Sequence, residues 1–263
     1  MTRPLDMPPS RVVHPSEVDA ELDRLAKTYR GASIIGLDVL NALGGAGEGM
    51  FDSLPRSVKD QLAGTTERAL MRAMKLAHSS RGLIGDDRGW LNGAMAGVLG
   101  AAGGVGGTPT ALAEIPVTIT LLLRVIQREA AQLGFDPASE NVQFDCVQVF
   151  GAAGPLARDD GADMSFVSAR LALTSGAMQT LIVKITPKLA AVLGQKLAAQ
   201  AVPLFGAAAG AAVNWAYVSY YRDISQVHFG LRKLAIDSGE DHDALVTALR
   251  ARMAPQLTSD RVA

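Results

Sequence analysis

Apolar positions recur at helical spacing through most of the chain. Val18, Leu22, Leu25 and Tyr29 fall on one face of a run that begins after Pro15, with Ser16 as the expected cap and Glu17 and Asp19 suited to the positive end of a helix. Glycines at 44, 45, 47 and 49 break that pattern. A second run then opens at Ser57 and places Val58, Leu62, Ala69, Ala73 and Ala77 on one side, with Gly64 weakening its middle. Pro116 predicts a kink or a helix start near Ile115, after which Val117 to Ile126 form an apolar helix. Strand-like alternation competes only weakly, between Val142 and Phe150. The predicted fold class is all-α, a multi-helix bundle.

Two segments stand apart because they carry almost no polar face. From Trp90 to Ala113 there is no charged residue, and glycines recur four apart as Gly93/Gly97, Gly100/Gly104 and Gly103/Gly107. Leu197 to Tyr221 is likewise uncharged and contains Gly206/Gly210. Such spacing bares one side of a helix and lets another backbone approach closely, so glycine-zippered, largely uncharged central helices are expected. Both segments reach the length of roughly 20 apolar residues that spans a bilayer. Pro109 and Pro203 divide them, however, and the freed backbone groups would find no partner in hydrocarbon. Burial in a helical core or reversible membrane contact is therefore favoured over spanning, with a pore-forming or inserting helical hairpin as the alternative.

Composition narrows the function. Lys plus Arg (25) nearly balances Asp plus Glu (26) over 263 residues, so no basic excess gathers phosphates and nucleic acid is disfavoured as a partner. The lone Cys146 cannot form an internal disulfide and fits a reducing compartment. The proline-punctuated start, Met1 to Pro9, lacks the apolar core of an export signal, which places the chain in the cytoplasm, at the inner face of the membrane where it is peripheral. Residues 1–14 read as an arm, 15–240 as the helical domain and 241–263 as a C-terminal helix and tail.

The usual catalytic signatures are missing: there is no G-x-S-x-G, G-x-x-x-x-G-K, H-E-x-x-H, C-x-x-C or G-x-G-x-x-G. Four scattered histidines and one cysteine do not make a zinc site, and Asp159-Asp160-Gly161-Ala162-Asp163 is too short to close a cation shell and reads as a solvated loop. Asp86-Asp87 reads the same way. No metal, cofactor or catalytic residue is assigned.

Candidate binding residues remain. Glu114 is the sole charge between Trp90 and Leu123 and would be costly to bury without a partner. It stands either at a ligand cavity or at a helix end exposed by a kink. On the long C-terminal helical run, at about 100° per residue, Asn214, Tyr221, Ser225, His228 and Arg232 fall within roughly 60° of one another. Val213, Ala216, Tyr220, Ile224, Val227, Leu231 and Leu234 take the opposite side. The stripe is either the solvated face of an amphipathic helix or a polar lining turned to a cavity or lipid headgroups, with Arg232 as the anion partner and His228 able to change charge near neutrality. A hydrolase reading, with His228 as base and Ser225 or Ser168 near it, is a distant alternative, because i,i+3 side chains rarely meet as nucleophile and base.

Over roughly residues 55 to 236 the chain resembles the EcsC family. The resemblance is carried by Glu114-Ile115-Pro116 leading into Leu121-Leu122-Leu123-Arg124-Val125-Ile126, by Cys146-Val147-Gln148-Val149-Phe150-Gly151, by the Asp160 to Arg170 run, and by Val202-Pro203-Leu204-Phe205-Gly206-Ala207 through Asn214 to His228-Phe229-Gly230-Leu231-Arg232. It implies an all-helical bacterial domain that associates with membranes, and a membrane transporter as a candidate partner. Arg170 joins the candidate binding residues on that basis. Phe166 stands where a tyrosine is expected, so no role needing a hydroxyl is carried to it.

Overall fold

A computed structural model describes residues 14–42, 56–79, 115–152, 177–200 and 206–253, with side chains for 14–32, 34, 56–72, 115–152, 177–196 and 211–253. Residues 1–13 of the arm, the 90–113 segment, Glu114, the Asp159–Asp163 loop, Phe166, Ser168, Arg170 and Pro203 lie outside the described residues. Every described element is a helix: α1 (Pro15–Ala42), α2 (Arg56–Ser79), α3 (115–132), α4 (Glu140–Phe150), α5 (Ala177–Gln200), α6 (Gly206–Ser238) and α7 (His242–Met253). The fold is an all-α multi-helix bundle.

The start of α1 corrects the expected cap. His14, not Ser16, is the capping position: its carbonyl accepts from the Glu17 and Val18 amides at 2.8 and 3.2 Å, and its own N–H donates to Glu17 Oε2 at 3.2 Å. Pro15 takes the first helical position, where a missing N–H costs nothing, and the Ser16 hydroxyl instead bonds the His14 ring at 2.9 Å. Val18, Leu22, Leu25 and Tyr29 are buried as their spacing predicts, and so are Val58, Leu62 and Ala69 on α2. The outer side of α1 meets α7, where Arg252 spans Asp19 and Asp23, and Arg30 donates to the Arg252 carbonyl at 2.9 Å.

Helix α6 is the axis of the bundle, packing against α1, α4, α5 and α7. Both sides predicted from its periodicity are buried: Val213, Ala216, Tyr220, Ile224, Val227, Leu231 and Leu234 on one, and Asn214, Tyr221, Ser225 and His228 on the other. At its end Gly239, with φ of +74°, takes the left-handed conformation that closes the helix and donates to the Ala235 carbonyl at 3.0 Å. Asp241 then accepts from the Asp243 and Ala244 amides, which starts α7 and folds it back onto α1 and α6.

The weak strand pattern at 142–150 is overturned by α4. Ser139 accepts from the Val142 amide at 3.3 Å and caps the helix, and Val142, Phe144, Cys146, Val147, Gln148, Val149 and Phe150 are all buried. Its incompletely buried positions, Glu140, Asn141, Gln143 and Asp145, are all polar, and the alternation of the last three with Val142, Phe144 and Cys146 is what gives the segment its strand-like pattern. Among the described residues, no helix is long and apolar enough to cross a membrane. Residues 211–221, the part of the second uncharged segment with described side chains, pack largely inward instead, with Tyr217 donating to the Val192 carbonyl of α5 at 2.8 Å. The surroundings of Gly206 and Gly210 lie outside the described side chains.

Candidate functional site

The turn after α3 is built to place one aromatic ring. Gly134, at φ +88°, lets the Phe135 amide reach back to the Ala130 carbonyl at 3.0 Å while its own amide reaches Ala131, also at 3.0 Å. This paired closure ends α3 and turns Phe135 inward, where it is 2% exposed and packs 5.5 Å from the Phe229 ring of α6. Asp136 and Ser139 then brace the turn through the Ala138 and Val142 amides and set the start of α4.

The polar stripe of α6 faces this corner rather than solvent. Arg232 pairs with Asp145 of α4 and lies 4.9 Å over the Phe135 ring, so the cation has an anion on one side and a π face on the other. His228 Nε2 stands 3.7 Å from the same Asp145 oxygen, with its ring edge-on to Phe229 at 5.0 Å. One helical turn earlier, Ser225 donates to the Tyr221 carbonyl, and the Tyr221 hydroxyl donates to the Phe150 carbonyl at 3.3 Å. Tyr221 also meets the Phe150 ring edge-on at 5.2 Å. The structure thus brings Tyr221, Ser225, His228 and Arg232 together along the α4–α6 seam, with Asn214 buried more than four helical turns before Arg232.

Charge in this corner is balanced internally. Burial alone would push the Asp145 carboxyl up, but the adjacent His228 and Arg232 prevail and hold it below its ordinary value of 3.8. Burial pushes the neighbouring Cys146 thiol well up, with the Asp145 charge adding to the effect. The phenols of Tyr217 and Tyr221 are raised by burial as well. None of these groups is poised as a nucleophile. Ser225 spends its proton on a backbone carbonyl, which leaves the Ser225–His228 hydrolase arrangement without an activated hydroxyl. Among the described residues, no group of His, Cys, Asp and Glu is placed to hold a metal ion.

Asp145 is the residue that the sequence reading missed. It is the sole charge between Glu140 and Arg158, the same isolation that singled out Glu114. Phe135 had no comparable signal, because only the Gly134 turn reveals its direction.

A second polar seam joins α3, α5 and α6. Glu129, 5% exposed, accepts from Gln226 Nε2 at 3.0 Å, and the buried Lys196 donates to Thr118 at 3.4 Å. Tyr217 of α6 bonds Val192, one turn before Lys196 on α5, so Thr118 and Tyr217 lie near one level while Glu129 and Gln226 meet further along, and the starts of α3 and α6 lie at one end of the bundle. Val117 and Trp215 sit at that end and remain exposed, at 44% and 53%.

With this architecture in place, comparison with known sequences gives a clear result: the model of the EcsC protein family matches residues 60–234, well over half of the chain. The chain belongs to the EcsC family. The matched region runs from α2 to Leu234 near the end of α6, so it contains the whole Asp145–His228–Arg232 corner and leaves all of α1 and all of α7 outside. No curated protein and no solved structure matches it significantly.

Proposed function

We propose that this EcsC-family chain is a non-catalytic, peripheral lipid-binding domain acting at the inner face of the cytoplasmic membrane. The observation that carries the proposal is Trp215, half exposed on a stretch of α6 whose described residues from 206 to 221 include no charge, and level with the exposed Val117 of α3. An exposed indole on an uncharged helix surface is costly in water and favourable at a headgroup boundary, where its ring is buried and its N–H stays wet. The rest of the bundle favours contact over insertion, since buried polar ties such as Tyr217 to Val192 and Lys196 to Thr118 would be lost if these helices separated into lipid. A transporter in the same membrane is the protein partner that this location suggests.

The test is extraction. Membranes from cells producing the full chain should release it into high salt or carbonate without detergent, and native mass spectrometry of the released protein should show retained lipid. Retention in the carbonate pellet would favour an inserted hairpin; a lipid-free protein that never sediments with membranes would remove the proposal.

A further inference from the structure

Charge is unevenly distributed over the bundle although the chain as a whole carries a formal net charge of −1. Residues 115–128 of α3 carry Arg124 and Arg128, α5 carries Lys184, Lys188 and Lys196, and residues 206–222 of α6 carry Arg222; none of the three stretches contains an Asp or Glu. These stretches are packed together, as the Lys196–Thr118 and Tyr217–Val192 bonds show. Of the acids at their border, Glu129 is buried against Gln226 and Asp223 is paired with Arg222 at 2.9 Å. The α1–α7 side is mixed instead: Glu17, Asp19, Glu21, Asp23, Asp241 and Asp243 stand among Arg24, Lys27, Arg30, Arg250 and Arg252, with Asp19 and Asp23 paired to Arg252 and Glu21 to Arg24.

The same three helices carry three of the four large apolar side chains found exposed among the described residues: Val117, Val183 and Trp215. Each is followed by cations on its own helix. Val117 and Arg124 are seven residues apart, as are Trp215 and Arg222, so within each pair the side chains point within about 20° of one another, two turns along. On α5, Val183 adjoins Lys184, and Lys188 follows one turn later on the far side of exposed Pro187. Apolar side chains beside long cationic ones suit a bilayer surface, where the former enter the headgroup layer and the latter extend to phosphates. A folded acidic partner would need one continuous matching patch, whereas a fluid lipid surface adapts to contacts spread over three helices.

We infer that the face built by α3, α5 and the first half of α6 docks on an anionic lipid bilayer, with Trp215, Val117 and Val183 at the headgroup boundary and Lys184, Lys188 and Arg124 meeting its phosphates. The inference rests on the peripheral lipid-binding reading and adds the lipid class and the orientation. The α1–α7 side, with its mixed charges, faces away from the membrane.

Co-sedimentation of the full chain with phosphatidylcholine vesicles, and with vesicles that also contain phosphatidylglycerol, tests it. The wild type should prefer the anionic vesicles at least tenfold, a preference that shrinks with salt. Lys184→Glu/Lys188→Glu should weaken that binding roughly thirty-fold, and the milder Lys184→Gln/Lys188→Gln should lose part of it. Lys27→Glu/Arg250→Glu, the same charge change on the α1–α7 side, should stay within about threefold of wild type. Equal losses in the two reversal pairs, equal binding to both vesicle types, or preference for an oligonucleotide over vesicles would each overturn the assignment of this face. Failure of the wild type to bind either vesicle would instead remove the lipid-binding reading beneath it. Thermal midpoints compare the folding of the variants, and the glutamine pair keeps the test valid if charge reversal unfolds the chain.

Discussion

Arg232 of α6 and Asp145 of α4, 87 residues apart in sequence, close an ion pair between the two helices, with Phe135 beneath the guanidinium. The anion for Arg232 is therefore part of the protein. Lipid contact is expected to depend on cations elsewhere, and this corner to govern stability.

Removing one partner should be costly because the other stays largely buried. Arg232→Ala or Asp145→Asn is expected to lower unfolding stability by about 2 to 4 kcal/mol, and the double variant to lose less than the sum. Denaturant melts of the four proteins measure this. Losses below about 0.5 kcal/mol in both single variants would show that the pair is open to water.

The depressed Asp145 carboxyl makes a pH prediction. A group whose folded pKa lies below its unfolded value contributes stability above the unfolded pKa and loses it as pH falls through the folded one. The Asp145 contribution is thus complete near neutrality and disappears as pH drops below its ordinary value of 3.8. Urea midpoints of wild type and Asp145→Asn should converge on acidification. A constant gap between them would contradict the account.

Much of the bundle could be read from periodicity, and the reasons are local. One buried face with one wet face, as on α1, leaves a period that Val18, Leu22, Leu25 and Tyr29 display directly. The stripe from Asn214 to Arg232 was equally visible, but its direction was not, because solvent and a polar seam leave the same pattern on a helix. Only the position of Asp145 on a separate helix decides between them, and pairing over that distance is not written in local spacing. The Ser16 cap failed for a different reason: proline at 15 fixes the first helical position and moves the cap back to His14.

Glycine substitutions separate close packing from open surface. A Cβ at Gly230 would stand 2.8 Å from Leu25 Cδ2, and one at Gly151 would stand 2.9 Å from Ile185 Cγ2 and 3.2 Å from the Gln148 carbonyl oxygen. Gly230→Ala and Gly151→Ala should each cost about 1 to 3 kcal/mol, whereas Gly64→Ala, whose new methyl meets only Arg68 at 4.0 Å, should add about 0.5 to 1 kcal/mol through helix propensity. Thermal melts showing the same sign for all three would contradict the packing.

Cys146 is wholly buried and its thiol is pushed up, so a small alkylating reagent should leave it unmodified in the native protein at neutral pH and label it fully in denaturant. Rapid native labelling, followed by mass spectrometry, would mean that the α4–α6 seam opens.

The most direct measurement of the central claim uses Trp215. Trp90→Phe leaves it as the sole indole, and vesicles of phosphatidylcholine and phosphatidylglycerol with brominated acyl chains then report its depth. The account predicts a blue-shifted emission and quenching strongest for bromines nearest the headgroups. Protein that sediments with the same vesicles while its Trp215 emission stays red and unquenched would contradict it.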